Sequence, residues 1–156
     1  QKYTRFTTWR DYKMRSSYLE VNSGQGDYRK HVEHLTSAIT LTNDDSGKVY
    51  MCSSADGAFS ITLPTASTGL DGVHYRFIVW EETPTADITI AAGSAIVSLV
   101  NKDAGGDAAN STAGTQVSNI ILDTTAQRGD VVDIMFWGGE YVATALSGIN
   151  NGIQTS

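Results

Sequence analysis

Histidine, cysteine and the clustered carboxylates are the residues of this chain whose chemistry could make a site, and their spacing decides what they can do. His31 and His34 stand at i and i+3 in "HVEH". On a helix that spacing would let two imidazoles share a metal, but the zinc-protease pattern needs i and i+4 with its glutamate, and it is absent. His74 lies between apolar positions and is expected to face solvent or be hydrogen-bonded. No G-x-S-x-G elbow supports a serine nucleophile. The G-x-G of "SGQGDY" (23–28) has no strand–helix context and reads as a joint. Cys52 is the only cysteine, so no internal disulfide can form and its thiol is expected to act as a small core hydrophobe. Asp44 and Asp45, and separately Asp103, Asp107 and Asn110, could bring oxygens to a cation. Neither group has the EF-hand order, and Asp and Asn are the ordinary residues of turns. Glu81 and Glu82 are expected to end a strand in water. No catalytic, cofactor or metal site is therefore expected, and the chain reads as a non-enzyme.

A second constellation carries binding chemistry rather than catalysis. In "YTRFTTWRDYKMR" (3–15) a ring recurs at every third position, Tyr3, Phe6, Trp9 and Tyr12, with Arg5, Arg10, Lys13 and Arg15 between them. Rings with interleaved cations suit either single-stranded nucleic acid or a protein surface. Charge decides between them. Residues 1–34 hold seven of the eleven Lys+Arg against four acids, leaving four bases against thirteen acids, so a head of +3 precedes a body of −9 within a net charge of −6. Thirteen acids behind a short basic head oppose a polyanion and assist a head that seeks an acidic protein surface. The partner expected is thus protein, with no nucleic acid.

The elements that must position this strip follow from the rest of the chain. A period of three matches neither helix nor strand, and Thr4, Thr7 and Thr8 weaken helix, so an extended arm is expected over residues 1–36. "DYRKHVEHLTS" (27–37) reads as a short helix or a lead into the first strand. From 37 to 148 short β-branched segments alternate with Gly, Asp, Asn and Ser clusters. The strands expected are 38–42, 48–53, 58–63, 73–80, 87–91, 95–100, 117–123, 130–137 and 141–146. Gly93 divides two of them, 101–115 forms a long surface loop, and "WGGEY" makes a hairpin turn. Residues 149–156 read as a frayed tail. Length and a hydrophobic content of 40% suit one domain. An all-β antiparallel β-sandwich of jelly-roll type is expected, a barrel being the alternative, and the absence of a fixed repeat disfavours a solenoid. No apolar run approaches the ~18 residues that cross a bilayer. No signal segment opens the chain, so a soluble protein with no membrane partner is expected.

Residues 41–79, "LTNDDSGKVYMCSSADGAFSITLPTASTGLDGVHYRFIV", run L-T-x-x-D-S-G-K, a short strand, A-x-G-x-x-x-T-L-P, then G-L-x-x-x-Y-x-F-I-V. This order resembles a module of tailed-bacteriophage virion structural proteins, with capsid decoration (cement) proteins the nearest. "RGDVVDIMFWGGEYVATALSG" (128–148) looks like the close of the same module. The resemblance covers about two-thirds of the chain and implies an all-β, non-enzymatic subunit, often a homotrimer, on the outer surface of a phage capsid with the major capsid protein as partner. It transfers no functional residue, because the shared positions shape the fold. Similar text in tail and head-fibre proteins leaves a receptor-binding fibre component as the alternative. Apolar residues on both faces of 73–80 and 130–137 point to association between subunits.

Overall fold

The computed structural model of the chain describes residues 30–67, 69–102 and 117–156. Among them are ten strands and one short 3-10 turn, Asn43–Asp45. The strands are β1 (Val32–Leu35), β2 (Ile39–Thr40), β3 (Val49–Cys52), β4 (Phe59–Thr62), β5 (His74–Val79), β6 (Ile88–Lys102), β7 (Val117–Leu122), β8 (Val131–Trp137), β9 (Glu140–Leu146) and β10 (Ile153–Thr155). The all-β expectation holds.

Pairing divides the strands into two mixed groups of five. One runs β1-β3-β5-β8-β9 and the other β2-β4-β6-β7-β10, and they join where the far half of β6 pairs with β9. Buried residues from both groups, among them Tyr50, Phe77 and Phe136 from the first and Ile61, Ile90 and Ile120 from the second, belong to one hydrophobic core. The architecture is accordingly sandwich-like. Inward residues alternate with outward ones along β5, β8 and β9, as the two-residue period of a half-buried strand requires. Tyr50 stacks on Phe77 at 5.5 Å and Phe136 meets Tyr141 edge-on at 4.9 Å. Each such ring contributes ~1.5–3 kcal/mol by leaving water.

The expectation of purely antiparallel pairing is corrected. β1–β3, β3–β5, β2–β4, β4–β6 and β6–β9 are parallel. The reason lies in the path of the chain: from β1 to β6 it passes from one group to the other at every strand, so each strand lies beside the next but one and runs the same way. A parallel pair needs such a crossover and cannot be joined by a hairpin. The winding leaves no fixed sequence period because the connections differ in length.

Three boundaries also change. The sheet begins at Val32 rather than near 37, because "VEHL" pairs with β3 as a strand. The segments on either side of Gly93 form one strand, β6, which bends there; Gly93 has φ 58° and the register shifts between Ala91 and Ile96, so the glycine marks an irregularity rather than an end. Asn101 and Lys102 thus belong to β6, while 103–116 lies outside the described residues. The expected frayed tail instead carries β10, which pairs with β7 and buries Ile153 completely. The hairpin at "WGGEY" is as expected. Gly138 and Gly139 both have positive φ, 63° and 93°, as a two-residue turn matching the strand twist demands.

Candidate functional site

The motif residues of 41–79 and 128–148 make contacts that hold the fold together. Asp45 Oδ2 accepts from the backbone N–H and the hydroxyl of Thr42, both at 2.8 Å, and its Oδ1 takes Lys48 Nζ at 2.7 Å. Lys48 also reaches Glu33 Oε1 at 2.7 Å, which straps β1 to the turn. Burial pushes the Asp45 carboxyl up, but hydrogen bonds from Lys48 and Thr42 outweigh it and hold the group below its ordinary value. The same two carboxylates, Asp45 first, raise the Lys48 ammonium. Tyr75 donates to the carbonyl of Thr42 and Tyr141 to that of Pro64, each at 2.8 Å. Asp130, buried, accepts from Ser147 Oγ at 2.7 Å, Gly148 N at 2.7 Å and Gln127 N at 3.0 Å. Gly152 closes over this carboxylate, where an added Cβ would sit 2.4 Å from Ser147 Oγ and 3.0 Å from Asp130 Oδ2. Every one of these contacts joins parts of the fold.

Several of the candidate catalytic groups are likewise engaged. His31 Nε2 lies 3.0 Å from Glu33 Oε1. On a strand, i and i+3 face opposite sides, so His34 is not brought beside it. Among the described residues no three His, Cys, Asp or Glu side chains converge as metal ligands. His74 Nδ1 is 3.1 Å from the carbonyl oxygen of Gly72 and 3.5 Å from Ser46 Oγ. A carbonyl only accepts, so the Gly72 contact is a hydrogen bond in the tautomer protonated at Nδ1, and in that tautomer this nitrogen is no base for Ser46. Ser46 Oγ meanwhile accepts from the His74 backbone at 3.1 Å. Cys52 is fully buried, and burial pushes its thiol up to about 12, so it packs as a core residue. Glu81 does not simply end a strand in water; it accepts a hydrogen bond from Ser53.

What remains is a surface. Cross-strand partners share a face, and following them outward across the first group gives rows such as Val32–Val49–Arg76–Asp133–Thr144 and Met51–Ile78–Val131–Leu146. Among the described residues the large hydrophobic side chains left strongly exposed are Val32, Trp80, Met135, Trp137 and Leu146, from 48% for Met135 to 65% for Trp137. By register Val32, Met135, Trp137 and Leu146 fall on this one outer face, and Trp80 lies directly beyond the end of β5. At its centre Arg76 grips Asp133 through two parallel bonds of 2.6 Å, an arrangement that raises the guanidinium further. Beside the pair lies an open groove of about 360 Å³ lined by Lys48, Val49, His74, Arg76, Asp133 and Met135. At the rim, the Arg128 guanidinium lies 5.4 Å over the Trp80 ring and its Nε donates to the Trp80 carbonyl at 2.7 Å.

Neither a protein-family model nor a curated protein matches the chain. What the arrangement offers chemically is a sheet face that carries exposed apolar side chains beside an internally paired charge. Tyr3, Arg5, Phe6, Trp9, Arg10, Tyr12, Lys13 and Arg15 lie outside the described residues, as do Asp103, Asp107 and Asn110. The individual residues of the outer face were not singled out from sequence. Their signal was nevertheless present, in apolar residues of both parities along 73–80 and 130–137. Among the described residues no helix is long and apolar enough to cross a membrane.

Proposed function

We propose that the protein is a non-enzymatic virion structural subunit, a capsid decoration (cement) protein that docks on the outside of a phage head through an N-terminal arm, with the major capsid protein as partner and a homotrimer as the working unit. The observation that carries this reading is the gathering of most of the exposed large hydrophobics on one sheet face. The resemblance of 41–79 and 128–148 to phage structural modules supports it, as does the placement of those motif residues in contacts that build the fold. The arm adds aromatic anchors and a basic rim, which suit an acidic protein surface. Joining several arms to one body makes later contacts intramolecular, so weak arms together hold tightly.

Attachment of the full-length chain to DNA-filled capsids tests the proposal. Replacing Tyr3, Phe6, Trp9 and Tyr12 by alanine should weaken attachment by at least ~30-fold, the loss of a single interface hot spot or more. Undiminished attachment defeats the arm. The groove at Arg76, Asp133 and His74, with Met135 as its apolar wall, favours a second reading, a fibre component that holds a host saccharide. Binding to host cells but not to capsids selects that reading.

A further inference from the structure

The outer face of the β1-β3-β5-β8-β9 group carries most of the strongly exposed large hydrophobics among the described residues. Trp80, Met135, Trp137, Val32 and Leu146 together leave on the order of 500 Å² of apolar surface in water, taking roughly 150–250 Å² for a whole aromatic side chain. A standard interface takes about 800 Å² from each partner, of which a little over half is apolar. The face thus supplies the apolar part of one such interface. Its charge is also suited to self-contact. The body is strongly acidic, yet the acid at the centre of this face, Asp133, is paired with Arg76. Two copies can meet here without setting unpaired acids opposite one another, whereas a partner chosen by charge would call for unpaired charges at the centre.

We infer that this face is covered by a second copy of the chain, with Met135 and Trp137 as anchors toward its hairpin end and Arg76–Asp133 enclosed beneath the contact. The inference deepens the decoration reading by naming the surface through which its subunits associate. It does not involve the arm. Trp137 sits at the hairpin end of β8 and Leu146 at the far end of β9, so the contact spans the length of the strands.

Light scattering and sedimentation of the full-length chain provide the test. The wild-type protein should be an oligomer, and Met135→Glu with Trp137→Glu should weaken self-association by at least about 100-fold while circular dichroism stays unchanged. If that double variant fails to fold, Leu146→Gln, at the other end of the face, is expected to weaken association alone. A photo-cross-linking residue at position 137 should capture the outer face of another copy. A monomer at every concentration overturns the inference, as does a folded double variant that stays oligomeric, or a cross-link to residues 1–29 or to a different protein. Capsid attachment is measured separately: an oligomer dispersed by the substitutions that never attaches removes the decoration reading and supports this interface by itself.

Discussion

Ser147 Oγ donates a 2.7 Å hydrogen bond to Oδ2 of Asp130, and both residues are buried. With the N–H groups of Gly148 and Gln127 on the same carboxylate, a group that burial would penalise is held by three donors. The lock fastens the start of β8 to the end of β9 and to the turn that leads into β10. Asp130→Ala strands those donors and should cost about 2–4 kcal/mol, and Ser147→Ala about 1–3 kcal/mol. Urea midpoints at constant slope are the check; a loss under half a unit of energy for both would show that the lock is not needed.

The buried tyrosines divide by what their hydroxyls touch. Tyr75→Phe and Tyr141→Phe each remove a bond to a backbone carbonyl, Thr42 and Pro64 respectively, and should cost about 0.5–1.5 kcal/mol. Among the described residues the Tyr50 hydroxyl meets no hydrogen-bonding group although it is fully buried. Tyr50→Phe should therefore be neutral or stabilising, because it removes a desolvated hydroxyl and keeps the stack on Phe77. Thermal melts of the three variants rank them.

Much of this core was legible from alternation alone. Ile61 and Leu63, and Tyr75, Phe77 and Val79, are buried on the faces that a period of two assigns them, since burial of one face fixes register strongly. The Gly-Gly turn after Trp137 was legible for a local reason, the need for positive φ at two successive residues. Parallel pairing was not legible, because Val32, Val49 and Arg76 fall into line only once the intervening strands have crossed to the other group. β10 was hidden by its polar composition. Ile153 finds its buried place through Leu122, a partner distant in sequence. The outer face was half legible: mixed parity marked 73–80 and 130–137, but Val32, Leu146 and the Arg76–Asp133 grip depend on strand order.

Stability should fall at both ends of the pH scale, for opposite reasons. The folded Asp45 carboxyl is held below its unfolded value, so its contribution is whole above that unfolded value and disappears as pH falls through the folded one. Asp45→Asn should thus destabilise at neutral pH, with the difference from wild type shrinking in acid. Burial pushes the Tyr50 and Tyr141 hydroxyls up to about 12 and raises Tyr75 as well. Their unfolded value is about 10, so the stability they contribute is whole below that pH and is lost as pH rises toward the folded values. Tyrosinate absorbance from these three should appear together with loss of structure, and appearance before unfolding contradicts the burial argument.

Cys52 gives a probe of the same core from the chemical side. Its thiol is enclosed, donates only to the Tyr50 carbonyl at 3.7 Å, and is pushed up to about 12 by burial. A thiolate is the reactive form, so a maleimide should leave the native chain unlabelled at neutral pH. Labelling should rise in step with the fraction unfolded in urea. Rapid labelling in native buffer would mean that the β3–β5 region opens locally.

The Arg76–Asp133 grip separates folding from association. Their side chains are 44% and 45% exposed, so in a free subunit water screens the pair and a double-mutant cycle on folding should give no more than about 0.2–1 kcal/mol. Enclosed beneath a second copy, the same two bonds lose their competing water, and the cycle measured on self-association should give a coupling of about 1.5 kcal/mol or more. Removing one partner leaves the other charge unanswered at the contact, so Arg76→Ala or Asp133→Ala alone should weaken association more than the paired replacement of both. Sedimentation equilibrium on the four proteins measures the association cycle, and urea unfolding of the same four in a Trp137→Glu background measures the folding cycle. Equal couplings in the two would show that the pair stays in water in the oligomer, which is incompatible with a contact centred on this face.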